Sequence, residues 1–344
     1  MRAVVVTKPG QVEVVEMAPP TPGPYQARIK THVACLCNAT DGKLIAGHFP
    51  GVGLDQYPLV LGHESAGVVD QVGDKVRSFN VGDHAIGGLL FSFAEPDYST
   101  GWGGFCEYTL VNDHDAMVAD GVADEEHGWF EVAEIQQPCD SDISWADAAM
   151  LCTWREVYGG FGDFNLQPGM DMLVYGAGPV GLSFVKFGKL LGLGYIGVVE
   201  PLPQKREKAL AMGADEVFDL GDPAIAKHEG KLDAVIDAVG RPDIINGALP
   251  LVKLGGSICV YGVVGDDEFV LKKGTGPYNF NLFVHQWPTR SRERAAQAPL
   301  CDWIREGKLS ASEYITHEFP IEKINDAIEV VASGEAIKTL MHYG

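Results

Sequence analysis

The sequence predicts an α/β protein of two domains: an all-β, barrel-like domain, and a doubly wound parallel sheet flanked by helices. Three observations carry this expectation. About the first 110 residues read as short β segments punctuated by glycine and proline, with no helix of length except around Asp41–Ala46. From about residue 144 apolar strands alternate with amphipathic helices, the pattern of a parallel sheet covered on both faces. A chain of 344 residues is too long for one ordinary core and comfortable for two.

The elements follow in order. Strands are expected at Arg2–Val6, Val12–Glu16, Ala27–Ala34, Ala66–Val72 and Cys106–Val111, separated by turns such as Val72-Gly73-Asp74 and Val81-Gly82-Asp83. The run from Ala27 to Val33 alternates apolar and polar residues, as a half-buried strand does. Ala119–Glu134, rich in Asp, Glu and Gly, reads as an exposed loop or insertion. Ser144-x-x-Asp147 marks a helix start, with helical spacing to Gly160. Strand Met172–Tyr175, helix Pro179–Leu191, strand Tyr195–Glu200 and helix Gln204–Met212 then alternate. Apolar strands follow at Glu216–Asp219, Asp233–Asp237 and Ser257–Tyr261. After about residue 288 the pattern is helix, strand, helix, closing with Ile321–Ala332 and the strand Ile337–His342.

Composition excludes some partners. A formal net charge of -21 argues against nucleic acid, because phosphate binding needs clustered Lys and Arg. No run approaches the eighteen or so apolar residues of a membrane span. The opening Met1–Val6 reads as a first strand, not a signal peptide, so the expected location is cytoplasmic. Seven scattered cysteines in such a chain read as buried thiols or metal ligands, not as a disulfide framework.

The strongest local motif is Gly176-Ala177-Gly178-Pro179-Val180-Gly181. It follows a strand, opens a helix, and precedes a second strand ending at Glu200, the context of a Rossmann dinucleotide site. Gly176 permits the tight turn and Gly178 lets the backbone approach a pyrophosphate. Gly181 lets the helix pack on the sheet, while Pro179 and Val180 open a helix whose N-terminus favours phosphate. Glu200 is placed to accept hydrogen bonds from the ribose hydroxyls and to repel a 2′-phosphate, which favours NAD over NADP. Pro201 follows with no adjacent arginine; Lys205 and Arg206 come one helical turn later, and Arg206 is counted among the cofactor-contacting candidates.

Cys37, His63 and Cys152 are residue types that bind zinc, and a catalytic zinc takes three protein ligands and keeps one open position. Their spacing alone does not select them. The segments around them resemble the medium-chain zinc alcohol dehydrogenase family over essentially the whole chain. The resemblance is carried by Leu61-Gly62-His63-Glu64-Ser65-Ala66-Gly67, Val81-Gly82-Asp83, Gly103-Gly104-Phe105-Cys106-Glu107-Tyr108, Gln167-Pro168-Gly169 and Ile321–Leu340. It implies zinc ligands at Cys37 and His63, a third at Cys152, and a nearby carboxylate at Glu64 that can bind or approach the metal. It also implies a GroES-like β-barrel catalytic domain at 1–147 and 288–344, with an NAD-binding Rossmann domain at 148–287. The implied subunit is that of a homodimer or homotetramer.

Two departures stand out. Cys37-Asn38-Ala39-Thr40-Asp41 differs from the family's Cys-Gly-Thr/Ser-Asp run, so a proton-relay hydroxyl is either Thr40, displaced by one, or missing. The Thr-Asp pair downstream favours Cys37 over Cys35 as first ligand. Residues 84–118 hold only Cys106, so the family's four-cysteine structural zinc cannot be assembled there, and one zinc per subunit is expected.

The reading is thus a zinc-dependent oxidoreductase passing hydride between NAD(H) and an alcohol, polyol or sugar. Its alternatives are a zinc-free quinone or enone reductase on the same fold, for which the trio is coincidence, and a nucleotide-binding protein without turnover. The absence of a basic cluster near the ligands disfavours a phosphorylated substrate. His48, His285 and Trp287 are weak substrate-cleft candidates, with packing or subunit contact the better reading.

Overall fold

In the computed structural model, which describes residues 1–265 and 268–344, the chain divides into two compact units. Met1–Arg155 with Arg294–Gly344 form one and Glu156–Glu293 the other. Both borders fall inside helices, where no Gly or Pro signal marks them. The expected borders at 147/148 and 287/288 lie several residues earlier, where the sequence texture changes.

The first unit opens with β1 (Arg2–Lys8), β2 (Gln11–Glu16) and β3 (Gln26–Leu36), then a short helix α1 (Thr40–Ala46). β4 (Leu59–Val60), β5 (Ser65–Val72), β6 (His84–Ile86), β7 (Ser99–Thr100) and β8 (Tyr108–Asn112) follow. Helix α2 (His114–Ala119), two 3-10 turns, β9 (Pro138–Cys139) and helix α3 (Trp145–Asp163) complete this stretch. The expected loop at 119–134 therefore carries short helical turns at Glu125–His127 and Glu131–Ile135. The Ser144 hydroxyl accepts from the Asp147 N–H at 3.2 Å, the cap that starts α3.

The second unit contains β10 (Met172–Tyr175), α4 (Pro179–Leu190), β11 (Ile196–Val199), α5 (Pro203–Ala211), β12 (Glu216–Phe218) and β13 (Leu232–Asp237). α6 (Pro242–Ala248), β14 (Val252–Val260) and β15 (Asn281–Val284) follow, and α7 (Arg290–Ala295) carries the chain back. Its six strands pair in parallel in the order β12-β11-β10-β13-β14-β15. The order reverses between β10 and β13, where a doubly wound sheet binds ligands. All four residues of β10 and of β11 are buried, because helices cover both faces. His285 packs against Phe164 and Phe283 in this unit, and the Trp287 ring faces the Arg290 guanidinium.

The chain returns to the first unit through α8 (Gln297–Arg305), β16 (Ile315–Pro320), α9 (Ile324–Ser333) and β17 (Lys338–His342). A seven-stranded sheet results, ordered β16-β17-β3-β5-β6-β9 with β8 also on β3, beside a four-stranded sheet β2-β1-β4-β7. One core cluster of this unit includes Val4, Val6, Leu36, Phe105 and Met341, joining strands from both sheets and both ends of the chain. β17 runs antiparallel to β3 with Leu340 opposite Cys35 and Thr339 opposite Leu36. That register brings Lys338 beside the segment that leaves β3 at Cys37.

Candidate metal centre and dinucleotide turn

Three of the implied metal ligands converge at one end of the barrel sheet. Cys37 lies just past the end of β3, and His63 and Glu64 lie just before β5. The backbone N–H of Cys35 donates to Glu64 O at 2.8 Å, stitching the two strand ends together. Gly62, at φ +97, makes the turn that presents His63; a Cβ there would stand 2.3 Å from the Phe105 ring. Cys37 Sγ, an imidazole nitrogen of His63 and a carboxylate oxygen of Glu64 lie within 4.8 Å of one another, and no other such group occurs among the described residues.

Around this group the polar atoms are arranged for a ligand. The Asp41 carboxylate, fully buried, accepts from the Cys37 N–H at 2.8 Å through Oδ2. Its Oδ1 faces His63 Nδ1 at 3.5 Å, too long for a good hydrogen bond, and both atoms are buried without a partner. The other ring nitrogen, Nε2, is 3.7 Å from Glu64 Oε1. With a proton on Nδ1 beside Asp41, Nε2 is the nitrogen that would bind a metal, giving up its own proton to do so. Burial pulls the His63 pKa down, but Asp41 and Cys37 outweigh it and hold the pKa well above the usual value. Buried orphans, a thiol, an imidazole and a carboxylate in one pocket are the donor set that zinc takes.

Cys152 is on α3 and buried, next to Thr153. It shares the neighbourhood of Cys35 with Cys37 but stands outside the 4.8 Å group. Cys35 is fully buried within β3, its thiol pushed well up by that burial, and it is outside the group too. Thr40 opens α1 and is buried beside Asp41, while His48 is exposed. Sequence reasoning missed two residues here. Asp41 was legible only as a turn acid, although a carboxylate four residues past a ligand cysteine was the available signal. Lys338 carried no local signal at all. Its side chain is buried and its Nζ lies 2.7 Å from Glu64 Oε1, 2.5 Å from Oε2 and 3.4 Å from Thr153 Oγ1.

In the second unit the glycine turn joins β10 to α4. Gly176 has φ +95, and Gly178 caps α4 with no side-chain bond to the helix N–H groups, leaving them to water or a ligand. A Cβ on Gly178 would meet nothing within 4 Å, so the backbone there is open to a close-lying group. Pro179 takes the first helical position, and Val180 is half-buried behind it. A Cβ on Gly181 would stand 1.9 Å from Gly176 O, a backbone atom that cannot step aside. Gly181→Ala is therefore expected to destabilise this unit by at least about 1–3 kcal/mol, the usual cost of overpacking, and to weaken NADH binding. Thermal unfolding and NADH titration check this; an unchanged melting temperature refutes the close approach.

Glu200 is buried just past the end of β11. Its Oε2 accepts from Ala177 N at 2.8 Å and its Oε1 from Leu202 N at 3.0 Å, so one carboxylate fastens the glycine turn to the second strand. Arg206 turns its guanidinium onto backbone, donating to Glu200 O at 2.6 Å and Pro201 O at 2.9 Å, with Asp219 3.5 Å away. It supports the Glu200 loop from behind. These backbone acceptors and Asp219 engage the guanidinium that a 2′-phosphate would need.

Comparison with known proteins agrees with both halves. Residues 23–120 match the alcohol dehydrogenase GroES-like domain, and residues 179–283 match the zinc-binding dehydrogenase domain. The chain belongs to the zinc-type medium-chain dehydrogenases. The dehydrogenase is 27% identical over 360 residues to the starvation-sensing protein RspB of Escherichia coli K12, covering 96% of this chain and 95% of that one. It is 26% identical to an alcohol dehydrogenase class-3 of Myxine glutinosa over 97% of this chain and 94% of that one. With a sorbitol dehydrogenase of Halalkalibacterium halodurans it shares 25% identity over 99% of both. Among solved structures, an RspB from E. coli CFT073 complexed with NADH superposes with a TM-score of 0.80 at 23% identity, covering 100% of this chain and 99% of that one. A 2R,3R-butanediol dehydrogenase of Bacillus subtilis gives a TM-score of 0.81 at 18% identity, over 100% and 99%. At those identities the superpositions establish the fold.

Proposed function

We infer that this protein is a zinc-dependent oxidoreductase that passes hydride between NAD(H) and the CH–OH carbon of an alcohol or polyol. The observation that carries the reading is the thiol–imidazole–carboxylate group of Cys37, His63 and Glu64, with the orphaned Asp41 and His63 atoms behind it. A zinc-free reductase on the same fold has no use for that arrangement. Relatives named alcohol and sorbitol dehydrogenase support the substrate class.

Cys37 and His63 would hold the metal, with Cys152 as third ligand and Glu64 as the adjacent carboxylate. Bound there, zinc supplies a Lewis acid that lowers the pKa of a substrate hydroxyl. Asp41 holds the Cys37 N–H and faces the ring of His63. Thr40, buried at the start of α1, is the candidate on this segment for a hydroxyl step in proton exit. In the second unit the N–H groups at the start of α4 receive a pyrophosphate, and Glu200 sits where ribose hydroxyls would donate, favouring NAD over NADP.

The reading includes a homodimer or homotetramer, supported by β15, an edge strand of the parallel sheet with Val284 exposed. It includes the cytoplasm as compartment, supported by seven cysteines of which none is in a disulfide. No helix is long and apolar enough to cross a membrane. The test is a panel of simple alcohols, polyols and sugars, with NAD and NADP, on protein whose metal has been quantified. One zinc per chain and reduction of NAD by part of the panel are expected. Metal-free protein turning over quinones or enones would overturn the reading.

A further inference from the structure

The least expected group beside the candidate metal centre is a buried cation. Lys338 is 1% exposed, and a lysine is found so deeply buried only when paired. Its partner is Glu64, with Nζ within 2.7 Å of both carboxylate oxygens. The same Glu64 offers an oxygen within 4.8 Å of the donor atoms of Cys37 and His63. A metal bound there would compete with the ammonium for one carboxylate.

We propose that Lys338 is a positioning residue that holds the Glu64 carboxylate in reserve beside the metal, keeping one coordination position open for the substrate oxygen. This rests on the zinc reading above. The argument is one of buried charge. A carboxylate at 4% exposure must be paired, and removing one member of such a pair leaves the other seeking a new partner. With Lys338 in place that demand is met away from the metal. Without it the nearest cation is the metal itself, and Cys37, His63, Cys152 and Glu64 would close a four-donor site of the structural kind.

The backbone keeps the lysine where this role needs it. β17 is an inner strand, paired with β16 on one side and β3 on the other. The Asn38 amide, beside Cys37, lies 3.4 Å from Ile337 O, so the ligand loop and the lysine strand are neighbours.

The test uses full-length protein reconstituted with Co(II), whose visible spectrum reports ligand number, and imidazole as a neutral exogenous ligand. In the wild type imidazole should shift the spectrum. In Lys338→Met its affinity should fall at least tenfold while cobalt binds at least as tightly. Lys338→Arg should behave as wild type, and the double variant K338M/E64Q should recover imidazole binding. Glu64→Gln alone should retain cobalt. If Lys338→Met does not fold, Lys338→Gln, uncharged but still a donor, carries the same comparison. Unchanged imidazole binding in the uncharged variants, or loss of cobalt in Glu64→Gln, overturns the proposal and leaves the zinc reading standing. Wild-type protein that binds no cobalt overturns both.

Discussion

Cys37→Ala and His63→Ala are each expected to lower kcat/KM by at least about 10³, because the substrate hydroxyl loses the Lewis acid that makes it a hydride donor near neutral pH. Zinc content should fall in parallel. NADH binding should change little, because the glycine turn and Glu200 belong to the other compact unit. Metal analysis, steady-state kinetics and NADH fluorescence titration on the same preparations check all three. Full turnover in either variant removes zinc from the mechanism. Loss of NADH binding together with activity points instead to a general folding defect.

The second large effect is expected at Glu200. Hydrogen bonds to a charged group contribute about 1.5–3 kcal/mol, so Glu200→Ala should raise the KM for NAD by about 10–100-fold. Zinc content should not change. The substitution also strips acceptors from the Ala177 and Leu202 N–H groups, which loosens the turn itself. Glu200→Gln separates the two causes in part: it keeps one of the two backbone acceptors, replaces the other with an amide donor, and gives up the charge that repels a 2′-phosphate. The glutamine variant should therefore narrow the preference for NAD over NADP more than it slows turnover. An unaltered KM for NAD in the alanine variant shows that Glu200 serves the fold alone.

The nucleotide half of this protein is written locally. A glycine's missing Cβ, a proline at a helix start and an acid at a strand end act within about thirty residues, so strand, turn and helix could be read in order. Gly181 shows why the spacing is strict: its Cα lies against the carbonyl of Gly176, one turn away. The metal half is written across the chain. Cys37, His63 and Cys152 have no interval that physics dictates, and family resemblance was needed to single them out. The structure gathers Cys37, His63 and Glu64 tightly and leaves Cys152, on α3, outside that group. Lys338 was invisible because nothing near it marks it. An isolated lysine opening a strand reads as a solvated edge until the register of β17 on β3 is known.

That register has a consequence for the order of assembly. Glu64 and Lys338 are 274 residues apart in sequence, and Asn38 reaches Ile337 across 299. Between them the chain makes an entire second unit with its own parallel sheet. The Val33–Leu36 end of β3, beyond the stretch that β8 pairs, must therefore wait without its partner until β17 has been synthesised. Pairings of such separation are slow, since loop closure comes before any contact rewards it. During that wait Glu64 has no lysine, and a metal ion arriving early would meet the carboxylate uncontested. Metal delivered during synthesis and metal delivered to the finished chain should then differ in the fraction of enzyme that starts out active.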